Sequence, residues 1–241
     1  MQIEKNWRVI PSMEKVWNVV WKKDNYALEK VRNNKALKKF NIYESLGVNF
    51  HKYKKVGDFG AGGGYMTLEL ISRYPSIESV KLYDYSEDAL LKSKENLANY
   101  SHVSFKQHDL NVPMTDHAEQ HDFIMAFSVL EHVHNYETGL QTLFDHLESS
   151  GEAIMVWSHA HSIFKWQRQW YEKLNLWNYG FQKEMSVKEI YEFLDGKFDV
   201  LCCKVVPCVG DKGVWTLLDN VIHKFNKQSG RYLFLHLKKK Q

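Results

Sequence analysis

Three groups of residues along the middle of the chain have types and spacings suited to chemistry. The first is Val56-Gly57-Asp58-Phe59-Gly60-Ala61-Gly62-Gly63-Gly64, an acid leading into glycines. Glycines at 60, 62 and 64 let the backbone turn sharply and approach a ligand where any side chain would clash. A helix after them aims its free N–H groups at that ligand. The second group is a pair of acids, Asp84, 20 residues after Gly64, and Asp109. A carboxylate at a strand tip accepts from both hydroxyls of a ribose. The third is Phe127-Ser128-Val129-Leu130-Glu131-His132-Val133-His134, with His159 and His161 further on. Histidine takes a proton near neutral pH, so His132, His134 and His159 are the candidate bases. A dinucleotide fingerprint is not met, because counting from Gly60 puts Tyr65 where its third glycine belongs.

The elements that must position these groups follow from periodicity. Strands are predicted over 54–60, 79–85, 102–109, 121–129 and 151–160, alternating with helices over 65–74, 86–100 and 136–148. Ser86 is the N-cap of the second of these helices, with Asp88 in its first turn. Asp58, Asp84 and Asp109 then fall at the ends of the first three strands. The alternation predicts a parallel sheet covered on both faces, and ligands of such sheets bind at the carboxyl ends of the strands. Helices over 186–194 and 213–227 flank two late strands, 197–207 and 231–237, expected to close the sheet as an antiparallel edge pair. Residues 12–46 read as helical. Between Lys22 and Lys39 they carry seven Lys or Arg against two acids, an ordinary solvated face or a basic rim for an anionic substrate. Residues 160–184 break the rhythm with Trp166, Trp170, Tyr171, Trp177 and Tyr179, an aromatic lid or an amphipathic helix packed into its own core.

The glycine run resembles motif I of the class I S-adenosylmethionine-dependent methyltransferases, with Asp58, Gly60, Gly62 and Gly64 at matching offsets. The resemblance covers about 54–160 by motif. It implies a Rossmann-like, doubly wound α/β sheet of seven strands, mostly parallel with one antiparallel strand near the carboxyl end. To this the chain adds an N-terminal helical cap over 1–46, ahead of a methyltransferase domain over 47–241 that contains the 160–184 insertion. S-adenosylmethionine is the implied cofactor and S-adenosylhomocysteine the product, held by Asp58, Gly60, Ala61, Gly62, Gly64, Asp84, Tyr85, Asp109, Leu110, Phe127 and Ser128. Asp84 would take the ribose, Asp109 the adenine amine, and Tyr85 and Leu110 the ring. The Leu130-Glu131-His132-Val133 run looks like that of small-molecule and quinone O-methyltransferases. No Asp/Asn-Pro-Pro-Tyr/Phe/Trp run of base-amino DNA methyltransferases follows the fourth strand, nor a Pro-Cys nucleophile. Some metal-dependent relatives carry Glu-x-x-Glu-His here; Ser128 replaces the first Glu. Glu131, His132 and His159 or His161 have ligand chemistry, but no metal is predicted.

The chain has 241 residues, 44% hydrophobic and 25% charged, which excludes wholesale disorder and fits one α/β domain with extra helices. Net charge +3 is too small to argue for nucleic acid. No stretch approaches the roughly 18 to 20 apolar residues of a membrane span, and the amino terminus lacks a signal-peptide core. Cys202, Cys203 and Cys208 fit neither a disulfide framework nor spaced zinc ligands. The expectation is therefore a cytoplasmic enzyme that methylates an oxygen, or a nitrogen, of a small molecule. RNA or protein methylation, and a non-catalytic cofactor-binding partner protein, are the alternatives.

Overall fold

The computed structural model describes residues 13–22, 26–114, 120–211 and 213–241. The helical cap expected over 1–46 therefore lies partly outside the described residues, at 1–12 and 23–25. Its described parts are two helices, α1 (Met13–Lys22) and α2 (Tyr26–Ser45).

Seven strands follow: β1 (Lys55–Phe59), β2 (Ser79–Asp84), β3 (Val103–Gln107), β4 (His121–Phe127), β5 (Leu147–Ser158), β6 (Phe198–Val206) and β7 (Tyr232–Lys239). They form one sheet in the order β3-β2-β1-β4-β5-β7-β6. The first five pair in parallel, while β7 runs antiparallel to both β5 and β6. A single reversed strand thus lies one place in from the edge, as the resemblance implied. The helices between are α3 (Tyr65–Arg73), α4 (Glu87–Asn96), α5 (Tyr136–Asp145), α6 (Ile163–Lys173), α7 (Val187–Leu194) and α8 (Val214–Phe225).

Alternation on the central strand explains why both faces are covered. Successive side chains of a strand point to opposite faces. Phe123, Met125 and Phe127 of β4 join a core with Phe40 and Tyr43 of α2 and Leu70 and Ile71 of α3. Ile124 and Ala126 join the opposite core with Leu140 and Leu143 of α5 and Ile190 and Leu194 of α7. The first of these cores fixes α2 against the sheet, and that places its polar side over the strand tips. Ser86 caps α4 by accepting from the Ala89 N–H at 3.1 Å. Ser186 and Glu189 form a reciprocal capping box on α7.

Several boundaries differ from the sequence expectation, among them α4, which ends at Asn96 rather than at Tyr100. Helix α5 stops at Asp145 and β5 begins at Leu147 rather than at Gly151. Leu147 pairs opposite His121 and is fully buried, so the polar run Glu148-Ser149-Ser150 is carried as an irregular start of the strand. Strand β3 ends at Gln107, which leaves Asp109 two residues beyond it in the following turn. The three cysteines are free thiols. Among the described residues no helix is long and apolar enough to cross a membrane.

Candidate functional site

The glycine loop is built by constraints from three sides. The Gly60 and Ala61 N–H groups donate to the Tyr83 carbonyl at 2.7 and 3.1 Å, tying the loop to the end of β2. From α4, Ser93 Oγ donates to the Gly62 carbonyl at 2.6 Å and Asn96 Nδ2 to that of Gly63 at 2.8 Å. Gly60 (φ +70°) and Gly62 (φ +56°) lie in the left-handed region. A Cβ at Gly60 would meet Val129 at 2.3 Å, and one at Gly62 would meet the Trp21 ring at 2.3 Å. Glycine is required at both positions by conformation and by space.

Asp84 closes the loop. Its Oδ2 accepts from the Gly62 N–H at 2.8 Å and its Oδ1 from the Ser86 N–H at 2.9 Å. A carboxylate offers about four acceptor positions, so each oxygen keeps capacity for a ligand hydroxyl. Burial pushes its pKa up, against the pull of these N–H donors. Asp58 is 1% exposed and accepts from Thr67 Oγ at 2.7 Å. Burial, helped by the charge of Asp84, pushes its pKa up to about 7. Asp109 accepts from the Asn111 backbone and side-chain amides at 2.9 and 2.7 Å, both on Oδ1.

A cavity of about 280 Å³ opens at these strand tips. Of the eleven residues expected to hold a cofactor, all but Gly64 line it. Gly64, in left-handed conformation, is instead the N-cap of α3 behind the loop. Ser128 adopts φ +54°, an uncommon state for a residue with a side chain, and its N–H donates to the Val156 carbonyl at 3.0 Å. The opposite wall comes from the helical cap: Trp17 and Trp21 of α1, and Arg32, Lys35, Ala36 and Lys39 of α2. None of these six was among the residues expected to hold the cofactor or take the proton, although Arg32, Lys35 and Lys39 belong to the basic run offered above as a rim for an anionic substrate. The 32, 35, 36, 39 spacing puts the last four on one helix face.

The three histidines separate. His132 lines the cavity, edge-on to Trp17 at 5.0 Å. Its Nδ1 bonds the Phe181 carbonyl at 2.8 Å. A carbonyl only accepts, so Nδ1 carries the hydrogen and Nε2 keeps a lone pair. Burial lowers the His132 pKa to about 4, leaving a neutral ring at pH 7. His134 is exposed and stacked on Phe181, outside the cavity lining. His159 is 1% exposed, bonds the Gly230 carbonyl through Nδ1 at 3.1 Å and also lies outside that lining. Glu131 is buried, accepts from Ser158 Oγ at 2.9 Å, and has a pKa raised by burial to about 7. Among the described residues no group of three His, Cys, Asp or Glu side chains is placed to hold a metal ion.

The expected aromatic lid contributes nothing to the cavity lining. Trp166 and Trp170 of α6 are 73% and 55% exposed, and Trp177 packs on Tyr179. Tyr179 reaches the site indirectly, 6.3 Å from Trp17.

Residues 58–153 match the family model described as a methyltransferase domain. No curated protein matches the chain by sequence. Solved structures share the fold. The N-methyltransferase NodS from Bradyrhizobium japonicum, in complex with S-adenosyl-L-homocysteine, is 13% identical with a TM-score of 0.64, over 95% of this chain and 99% of that one. A SAM-dependent methyltransferase from Thermotoga maritima, a possible histamine N-methyltransferase, is 15% identical with a TM-score of 0.64, over 95% and 100%. An O-methyltransferase family protein from Burkholderia thailandensis is 12% identical with a TM-score of 0.60, over 92% and 62%.

Proposed function

We propose that this chain, whose residues 58–153 form a methyltransferase domain on the class I fold, moves a methyl group from S-adenosylmethionine to an oxygen, or a nitrogen, of a small-molecule acceptor. The observation that carries the reading is the meeting of Asp58, the glycine loop, Asp84, Asp109 and His132 around one cavity at the strand tips. Among the three structural neighbours named above, one was solved with S-adenosyl-L-homocysteine and both N- and O-methyltransferases are represented.

The residues fit the cofactor. Without side chains at Gly60 and Gly62, Val129 and Trp21 pack directly on the loop, and the bare loop backbone borders the cavity. Asp84 has spare acceptor capacity and would take the ribose, Asp109 would accept from the adenine amine, and Tyr85 and Leu110 would pack against the ring; all four line the cavity. Asp58 is a buried carboxyl with its pKa raised to about 7, and an amino-acid ammonium beside it would favour its ionised form. The cofactor brings a methyl group on a positively charged sulfur, an activated donor that needs no further activation by the protein.

The protein's own tasks are then alignment, exclusion of water and handling of one proton. Trp17 and Trp21 cover the cavity from the helical cap. His132 is the proton acceptor: it is neutral at pH 7, its Nδ1–H is held by Phe181, and its Nε2 lone pair is unused by that bond. His134 and His159 have no such task. The net charge of +3 gives no support to a nucleic-acid acceptor, and three free cysteines suit a reducing, cytoplasmic setting.

Calorimetric titration with S-adenosyl-L-homocysteine, with NADH in parallel, tests the cofactor class. Micromolar binding of the first alone is expected. Binding of neither, or of NADH, refutes the reading.

A further inference from the structure

We infer that the methyl acceptor carries an anionic group, a carboxylate or a phosphate, and that Lys39 receives it. The inference rests on the methyltransferase reading above and deepens it by naming the substrate class.

Helix α2 turns one face to the cavity, with Arg32, Lys35 and Lys39 at helical spacing and the small Ala36 leaving room between them. The three cations are committed differently. The Arg32 guanidinium sits 4.2 Å from the Trp21 ring centre and 5.8 Å from that of Tyr65, at the glycine-loop end. Lys35 is ion-paired with Asp211, which also takes Arg231 at 3.3 Å. Lys39 reaches the other end, with its ammonium 5.2 Å from the ring of Phe127 at the tip of β4. No carboxylate of a described residue pairs with it.

An ammonium drawn out of bulk water without a counter-ion is unfavourable. Burial and the neighbouring Lys35 together lower the Lys39 pKa to about 8. The acids that act on it are Glu131, Asp211 and Asp58, and each has another partner: Glu131 Ser158, Asp211 Lys35 and Arg231, Asp58 Thr67. The acids of the cavity lining, Asp58, Asp84 and Asp109, belong to β1, β2 and the turn after β3. All three acids of the cavity lining therefore sit over β1 to β3, and Lys39 is the cation beside the tip of β4. A cationic cofactor suits the first half. The second half presents a half-buried ammonium beside an aromatic ring, which suits an acceptor bearing an anion next to an apolar body.

The test uses protein saturated with S-adenosyl-L-homocysteine and titrated with benzoate, phenyl phosphate and neutral benzamide, followed by calorimetry. At least one anion is expected to bind tenfold or more tightly than benzamide, and which anion prefers the site separates carboxylate from phosphate. In Lys39→Met that preference collapses, whereas Lys39→Arg keeps it, and the arginine variant serves if the methionine variant fails to fold. Affinity of Lys39→Met for S-adenosyl-L-homocysteine stays within about threefold of wild type. Equal binding of benzamide and the anions, or an anion preference that survives in Lys39→Met, overturns the inference. So does a tenfold loss of S-adenosyl-L-homocysteine affinity in Lys39→Met, which assigns Lys39 to the cofactor's own carboxylate. If wild-type protein does not bind S-adenosyl-L-homocysteine, the methyltransferase reading fails separately. A Lys39-dependent anion preference in protein without it would still support the anion site.

Discussion

Replacing Gly62 by alanine perturbs the site at one atom, and the structure sets the size of the effect. The residue sits at φ +56°, where a side chain costs about 1–2 kcal/mol. Its new Cβ would lie 2.3 Å from Trp21 Cζ2 and 2.5 Å from Cη2, so the indole must retreat by about 1 Å to reach ordinary contact. Retreat of the ring or rotation of the loop moves the Gly62 N–H off Asp84, a charge-assisted bond of 2.8 Å worth about 1.5–3 kcal/mol. The expected loss is roughly 2–4 kcal/mol, a lowering of Tm by about 4–16 °C at about 2–4 °C per kcal/mol for a chain of this size. Affinity for S-adenosyl-L-homocysteine should fall by about tenfold or more. Scanning fluorimetry and calorimetry read the two effects. In the double variant Gly62→Ala, Trp21→Ala the clash is gone but the φ cost remains, so Tm should fall less than the two single changes sum to. Wild-type Tm and affinity in Gly62→Ala would falsify the claim that this position is reserved for glycine.

Other consequences can be checked with the same two instruments and a turnover assay. Asp84→Ala leaves the N–H groups of Gly62 and Ser86 without an acceptor; a tenfold or greater loss of S-adenosyl-L-homocysteine affinity is expected, and unchanged affinity removes Asp84 from the site. Glu131 has a folded-state pKa raised to about 7, so the fold binds its proton more tightly than the unfolded chain does. Stability from that proton is full below about pH 4 and is lost as pH rises through 7. Glu131→Gln should therefore raise Tm at pH 8, by on the order of 1–3 kcal/mol of stability, and change it little at pH 4; an equal effect at both pH values contradicts the burial argument. His132→Ala should keep S-adenosyl-L-homocysteine affinity and lower turnover by about 10²–10⁴-fold, the usual range for a positioned base. Normal turnover acquits it.

The parts of the molecule that were legible in the sequence are those where one residue type answers to one backbone demand. Gly60 and Gly62 have no substitute at their dihedral angles, and Asp84 ends a strand whose apolar alternation marks its length. The buried strands announced themselves by continuous runs such as Phe123 to Phe127. What stayed hidden depends on docking. Lys39 belongs to a basic run that reads equally as an ordinary wet face or as a rim for an anion, and the burial of Phe40 and Tyr43 beside it is what turns Lys39 over the strand tips. His132, His134 and His159 are chemically equivalent on paper, yet two carbonyls and one exposed surface give them three environments. Trp166 and Trp170 look like pocket aromatics by type, but α6 carries them outward.

The place of β7 bears on how the chain can fold. Strand β6 precedes β7 in sequence, yet β7 lies between β5 and β6, with paired residues from Glu152–Lys238 to Ser158–Tyr232 on one side and Phe198–Lys239 to Val206–Tyr232 on the other. Until β7 arrives, β5 is an open edge and β6 has nothing to pair with, so the sheet cannot be laid down in the order in which the residues emerge. Closing loops from β5 to β7 before any contact rewards them is slow. During that interval Ile154, Met155 and Val156 sit on an unpaired edge, the kind of surface that recruits another chain. The reversed strand therefore makes the second half of the sheet the step most exposed to aggregation.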